Sequence, residues 1–290
     1  MKKILFILNP KAGHGLNRHL EEKIDKVFAK SEFNIEKVYT EYSGHATELS
    51  RKAASENYYA AIAIGGDGTV NEVAAGVVHT KTAIGIIPTG SGNGFSNFLK
   101  IPHNTEKALL IIKNGKPKTI DSFTVNGRFG INVTGFGFDA YVAHQFAHAG
   151  KRGFLTYIRL VIKSYFGYSE QSFEIEIDGE KLNCKAFLAE IANGAEFGNH
   201  AVIASPALAD DGWLDVVILR KLNLFRLPLT LYMIFSGSRL NKAVAEYYRG
   251  KRIVFRSKSD VHLHIDGEAA GQLAEAEVII HPKSVKVITG

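Results

Sequence analysis

Five strand candidates in the first 120 or so residues alternate with four stretches of helical character, and this alternation constrains the fold more than any other feature. Lys3–Leu8, Ile35–Thr40, Ala60–Ile64, Ala83–Ile87 and Thr119–Phe123 read as strands. Leu16–Lys30, Ala46–Glu56, Thr69–Val78 and Thr105–Lys113 read as helices. Strands that alternate with helices build a parallel sheet covered on both faces. Its strands are then continuously apolar, as Ile4–Leu8 and Ala83–Ile87 are. Beyond about residue 122 the pattern changes. Phe173–Asp178 alternates strictly, Gly179 turns the chain and Leu182–Ala192 continues, which predicts an antiparallel hairpin. Leu214–Leu219, Arg252–Phe255, Val261–Ile265 and Val278–His281 add strands, with helical insertions over Ala140–Phe166 and Leu222–Tyr248. The expected class is α/β plus all-β. An open parallel-sheet domain covers residues 1–122, and an antiparallel β-sandwich covers 123–281.

A length of 290 residues suits two such domains. Hydrophobic residues at 46% and charged residues at 22% fit a folded soluble chain rather than a disordered one. Lys and Arg number 35 against 29 Asp and Glu, a net +6 with no block of five like charges, which argues against nucleic acid as a partner. The single cysteine, Cys184, excludes a disulfide framework and a cysteine-based zinc site, and fits a reducing compartment. The apolar run Ile4–Leu8 stops at Asn9-Pro10, short of the roughly 7–15 residues of a signal-peptide core. No stretch approaches the roughly 20 apolar residues of a membrane span. The expected location is cytoplasmic, with peripheral contact at the inner membrane face.

Glycine is in excess, 28 residues or about one in ten, against about 7% on average. Three clusters directly follow predicted strands: Asn9-Pro10-Lys11-Ala12-Gly13-His14-Gly15, Gly65-Gly66-Asp67-Gly68-Thr69 and Pro88-Thr89-Gly90-Ser91-Gly92-Asn93-Gly94. In an open α/β sheet, ligands bind at the carboxyl ends of the strands. Glycine there lets backbone N–H groups approach an anion, and a following helix adds its N-terminal dipole. The pattern predicts a phosphate cradle. It is neither a P-loop nor a dinucleotide fingerprint, since Arg18 stands where the latter needs its third glycine.

At these loops the sequence resembles the diacylglycerol kinase catalytic-domain family, which includes sphingosine kinases and bacterial lipid kinases. Gly65–Glu72 matches its hallmark loop, and Asn9–Gly13 resembles its first nucleotide loop. Thr40 with Gly44-His45-Ala46 resembles a second segment, and Pro88–Asn93 a third. Asp211–Asp215 and Asp266-Gly267-Glu268 complete the ordered set. The resemblance implies an α/β nucleotide domain like that of NAD kinases and phosphofructokinases, a β-sandwich domain, and ATP in the cleft between them. It also implies that residues 282–290 return to the first domain.

The activity so implied is transfer of the ATP γ-phosphoryl group to a lipid hydroxyl, on a diacylglycerol-like or sphingoid acceptor. The rivals are a NAD kinase-like small-molecule kinase and a non-catalytic nucleotide- or lipid-binding regulator. By resemblance, Asn9, Pro10, Lys11, Ala12, Gly13, Thr40, Gly65, Gly66, Asp67, Gly68, Thr69, Asn71, Glu72 and Ser91 hold the nucleotide. Asp67 organises Mg²⁺, and Asp121, at the end of a strand of the first domain, joins that network or caps a turn. Glu268 is the implied general base. The residues alone do not separate its turn from Asp178-Gly179-Glu180. Asp211, with the Leu208 and Trp213 carbonyls, is the implied second Mg²⁺ site. Arg159 stands where some members carry a Lys near the phosphates, and His14 where some carry a Lys. His144 and His148 have helical metal-pair spacing without a clear third ligand. Leu222–Phe235 and Phe146–Tyr168 mix apolar and basic residues, and either pack on the sandwich or lie on a membrane. The partners so implied are a lipid substrate and a membrane surface; a homodimer stays open.

Overall fold

The computed structural model describes residues 1–13, 18–150, 153–198, 201–204, 207–223 and 225–290; His14, Gly15, Lys151, Arg152 and Leu224 lie outside these. The chain divides into two compact units, Met1–Ile120 with Lys283–Gly290, and Asp121–Pro282.

The first unit alternates β1 (Lys2–Leu8), α1 (Arg18–Phe28), β2 (Phe33–Tyr39), α2 (His45–Ser55), β3 (Ala60–Gly65), α3 (Asp67–Val77), β4 (Ala83–Pro88), α4 (Gly94–Phe98) and α5 (Thr105–Asn114). Its sheet runs β4–β3–β1–β2, all parallel. Every residue of β3 and β4 is buried, as strands covered on both faces require. Asn104 caps α5, its side chain accepting the Lys107 N–H at 3.0 Å. The order reverses direction between β1 and β3, because β2 lies on one side of β1 and β3 on the other. That reversal is where open α/β sheets form their ligand crevice.

The second unit is entered along β5 (Lys116–Val125), followed by β6 (Arg128–Gly130), β7 (Val133–Gly137), α6 (Phe138–Ala147), α7 (Phe154–Gly167), β8 (Gln171–Ile177), β9 (Glu180–Ala186), β10 (Leu188–Ala192), β11 (Glu196–Gly198), β12 (Ala201–Val202), β13 (Leu214–Leu219), α8 (Leu227–Phe235), β14 (Ala245–Gly250), β15 (Arg252–Ile265) and β16 (Glu268–Thr289). Its strands pair antiparallel along β14–β13–β10–β7–β15–β16, and β8 pairs with both β15 and β9. Within the first unit, Lys286 and Val287 of β16 pair parallel with Ala83 and Ile84 of β4.

Alternate residues of β10 and β13 feed two cores. Ala189, Ile191, Val216 and Ile218 join the sandwich interior around Phe136, Phe173 and Phe255. Leu188, Ala192, Val217 and Leu219 join a second cluster with Phe138, Val142 and Phe187, against which Tyr157, Leu160 and Tyr165 of α7 pack. Two-sided burial explains why β10, apolar apart from Glu190, shows no clean alternation.

Several expected boundaries move. Leu182–Ala192 is two strands: Phe187 turns out to donate its N–H to the Leu219 carbonyl, so β9 stays with β8 while β10 enters the central sheet. Arg252–Phe255 and Val261–Ile265 are parts of one strand, whose register shifts between Arg256 and Val261. Ala140–Phe166 divides into two helices. Among the described residues of Leu222–Tyr248, Leu227–Phe235 is helical and Ala245–Gly250 pairs with the edge of β13.

Candidate active site

In the first unit the three glycine loops meet. Asn9 follows β1, and its Nδ2 donates to Thr69 Oγ1 at 2.9 Å while its Oδ1 accepts the Lys11 N–H at 3.0 Å. Ala12 closes the same turn on the Asn9 carbonyl. Gly13 has φ +63°, and a Cβ there would lie 2.4 Å from the Thr89 carbonyl oxygen. Gly66 and Gly90 touch through their backbones, for a Cβ on Gly90 would stand 2.6 Å from Gly66 Cα. Gly65 likewise leaves space for the Thr69 side chain. Buried Asn93, at φ +51°, folds the third loop on itself, its Oδ1 accepting from Gly90 N–H and its Nδ2 donating to the Gly90 carbonyl. Asp67 opens α3, and its Oδ1 accepts the Phe95 N–H at 3.3 Å. The loops from β1, β3 and β4 therefore form one backbone-lined pocket edge beside the N-terminus of α3, the arrangement that receives phosphate.

Other residues named from the sequence take different positions. Glu72 accepts N–H groups from Gly44 and Ala46 at 2.8 and 3.2 Å, so its carboxylate caps the start of α2. Thr40 follows β2 directly, with its N–H on the Leu8 carbonyl. Gly68 and Asn71 lie in α3, and Ser91 is exposed at the tip of the third loop. Arg159 is exposed on α7 of the second unit.

In the second unit Asp121, Asn193 and Asp266 share one polar network. Asp121 lies inside β5 rather than at a strand end of the first unit, because β5 extends to Val125. Its carboxylate is fully buried and Oδ2 accepts the Gly212 N–H at 2.7 Å, while its own N–H reaches the Ala209 carbonyl. Asn193 Nδ2 bridges the Asp121 and Ile131 carbonyls at 2.9 and 2.7 Å. Asp266 accepts three N–H groups, from Ile131, Asn132 and Val133, at 2.8–3.0 Å. It begins a two-residue turn with Asp266 at φ +51° and Gly267 at φ +81°, closed by the Ile265–Glu268 pair. Glu268 is the exposed first residue of β16. The competing turn at Asp178-Gly179 has the same handedness, but its carboxylate is exposed and accepts the Lys251 and Arg252 N–H groups.

Asp211, named from the sequence for a second Mg²⁺ site, lies within reach of β14. Its Oδ1 accepts the Trp213 N–H and its Oδ2 pairs with the Arg249 guanidinium, which also reaches Asp215 at 3.2 Å.

The sequence reading missed a buried cluster of Asp139, Glu190 and His264. Glu190 and His264 flank Gly135 in register on β10, β7 and β15, and Asp139 enters from the first turn of α6. His264 Nε2 lies 2.7 Å from Asp139 Oδ2 and 3.3 Å from Glu190 Oε1. Burial, then the Asp139 charge, raises the Glu190 pKa well above the carboxylate range. Burial pulls the His264 pKa down, but Glu190 and Asp139 outweigh it and lift it to about 10. A Cβ on Gly135 would lie 2.3, 2.4 and 2.7 Å from Glu190 Oε2, Asp139 Oδ2 and His264 Nε2. Gly135→Ala is therefore expected to destabilise the protein by about 1–3 kcal/mol through overpacking. A thermal melt checks this, and an unchanged midpoint contradicts it. Asp139, Glu190 and His264 come from a helix and two strands spread over 125 residues, so no local spacing announced the cluster; Gly135 in an apolar strand hinted at crowding.

Residues 3–125 match the diacylglycerol kinase catalytic domain, and residues 132–289 match the YegS C-terminal NAD kinase beta sandwich-like domain. The chain belongs to the diacylglycerol kinase catalytic-domain family. This kinase is 29% identical over 279 residues to the diacylglycerol kinase of Bacillus subtilis (strain 168), covering 94% of this chain and 92% of that one. It is 29% identical over 286 residues to the diacylglycerol kinase of Staphylococcus aureus (strain JH9), covering 94% and 88%. Its fold is similar to the crystal structure of a diacylglycerol kinase from Bacillus anthracis str. Sterne, with TM-score 0.79 at 22% identity over 100% of this chain and 97% of that one. The chain is thus a kinase of a lipid kinase family, which sets aside the non-catalytic regulator. No helix among the described residues is long and apolar enough to cross a membrane.

Proposed function

We propose that this kinase transfers the γ-phosphoryl group of ATP to the hydroxyl of a diacylglycerol-class lipid, with Mg²⁺ as the charge-neutralising ion. The observation that carries the reading is the backbone-to-backbone meeting of Gly66 with Gly90 and of Gly13 with Thr89, which leaves room for an anion and none for side chains. A magnesium-bound nucleotide fits these residues: the N–H-rich loops suit phosphate, and Asp67 brings a hard oxygen, with Oδ2 3.3 Å from the Cβ position of Gly92. When bound, Mg²⁺ offsets the charge that develops on the phosphoryl oxygens. In the transfer, the lipid hydroxyl oxygen bonds to the γ-phosphorus as the bridge to ADP breaks, and Glu268 takes the hydroxyl proton. Incubation with labelled ATP and emulsions of diacylglycerol, a sphingoid base and phosphatidylglycerol, with NAD⁺ as a further arm, tests this. Labelled phosphatidate is the expected product; label only in NADP⁺, or in no acceptor, overturns it.

The acceptor calls for access to a bilayer, and two helices favour it. Around α8, Phe225, Leu229, Leu231, Tyr232 and Phe235 are exposed, while Met233 and Ile234 pack on the second core cluster. On α7, Leu155, Ile162 and Phe166 are exposed beside Arg159 and Lys163. Apolar groups enter the interface, and each nearby basic group adds about 1 kcal/mol on an anionic leaflet. The double variant Phe225→Ser, Leu229→Ser is expected to weaken sedimentation with phosphatidylglycerol vesicles about tenfold or more, leaving ATP binding intact. Equal sedimentation of variant and parent removes α8 as a membrane contact.

A further inference from the structure

His264 sits under the turn that carries Glu268. Its Nδ1 accepts the Gly267 N–H at 3.3 Å, and its Nε2 faces Asp139 and Glu190. Gly267 is the second residue of a two-residue turn, a position whose N–H lies outside the strand ladder. Asp266 anchors the first turn residue on three backbone N–H groups, so the imidazole is the matching anchor for the second.

We propose that Asp139, Glu190 and His264 are a positioning device for Glu268: the two carboxylates hold the His264 ring by Nε2, and Nδ1 fixes Gly267 and with it the direction of the Glu268 side chain. This rests on Glu268 being the base. A metal at the cluster is the alternative use of these three ligand types, and the turn opposes it. An imidazole bound to a metal through Nε2 carries its proton on Nδ1 and needs an acceptor there. Here Nδ1 meets a donor. The Gly267 N–H facing Nδ1 fixes the ring with its proton on Nε2 between the carboxylates and opposes the second proton that Glu190 and Asp139 favour; Tyr157 of α7 and Tyr168 directly after it lie near the cluster, their pKa values raised by burial first and then by Asp139.

Two substitutions separate positioning from mere filling of a buried site. In His264→Asn, Oδ1 stands near the place of Nδ1 and keeps an acceptor for Gly267. In His264→Gln, the amide reaches the place of Nε2, keeping the carboxylate contact and losing the acceptor. The expected result is that His264→Asn retains kcat within about threefold while His264→Gln loses at least tenfold, with KM for ATP unchanged in both. A milder effect of His264→Gln than of His264→Asn overturns the proposal, since a structural role ranks them in that order. Glu268→Gln, assayed in parallel, keeps the two readings apart: if it stays active, Glu268 is not the base, whatever the His264 variants do. Should neither His264 variant fold, amide exchange of Gly267 in the unsubstituted protein decides. Protection supports the bond to Nδ1, and exchange at the rate of an open turn overturns it.

Discussion

Glu268→Gln is expected to lower lipid phosphorylation by about 10²–10⁴-fold, the range over which a positioned general base contributes. The substitution keeps size and shape and removes only the carboxylate's capacity to take the hydroxyl proton. Glu268 is exposed at the head of β16, and Asp266 holds the turn before it through Ile131, Asn132 and Val133. The melting midpoint and the affinity for ATP are therefore expected to stay at the parent values. Steady-state phosphorylation of diacylglycerol in mixed micelles measures the first quantity, and titration with a non-hydrolysable ATP analogue the second. A variant within threefold of the parent kcat would falsify the assignment of the base. Loss of ATP affinity in step with kcat would move Glu268 from proton transfer to nucleotide binding.

Gly90→Ala is expected to raise the dissociation constant for the same ATP analogue by at least about tenfold. The added methyl group would stand 2.6 Å from Gly66 Cα and 2.8 Å from Asn93 Oδ1. Neither neighbour can move alone: Gly66 precedes α3, and Asn93 is buried with both its amide atoms on Gly90. The methyl therefore forces the second and third loops apart, a strain of about 1–3 kcal/mol, and spoils the converging N–H groups on which an anion depends. Calorimetric titration reads the affinity. Unaltered binding would mean that the nucleotide does not use the meeting point of these two loops.

Local patterns carried much of this architecture. Continuous apolar runs of five or six residues, separated by helical stretches, were sufficient to anticipate β1, β3 and β4, because a strand buried on both faces has no polar face to show. The glycine clusters announced the cradle for a similarly local reason: a turn that leaves no room for a Cβ must be written as glycine wherever it occurs. The second unit was less legible. Its strands are long, bent and shared between partners, so that Arg252–Ile265 read as two segments around a register shift and Leu182–Ala192 read as one across a change of partner.

By itself, the order of residues determined that a parallel sheet would end in three glycine loops and that an Asp-Gly-Glu turn would follow a strand in the β-rich half. Those are decisions made within a few residues, by φ/ψ preference, period and burial. Only the tertiary structure decided what the carboxylates do. Asp121 serves the Gly212 N–H, Asp211 turns to Arg249, Glu72 caps α2, and Asp139 meets His264 from 125 residues away. Each of these partnerships depends on strand register or helix placement between distant segments, and a side chain's charge and reach are identical in sequence whether it ends up beside a backbone amide, a guanidinium or an imidazole.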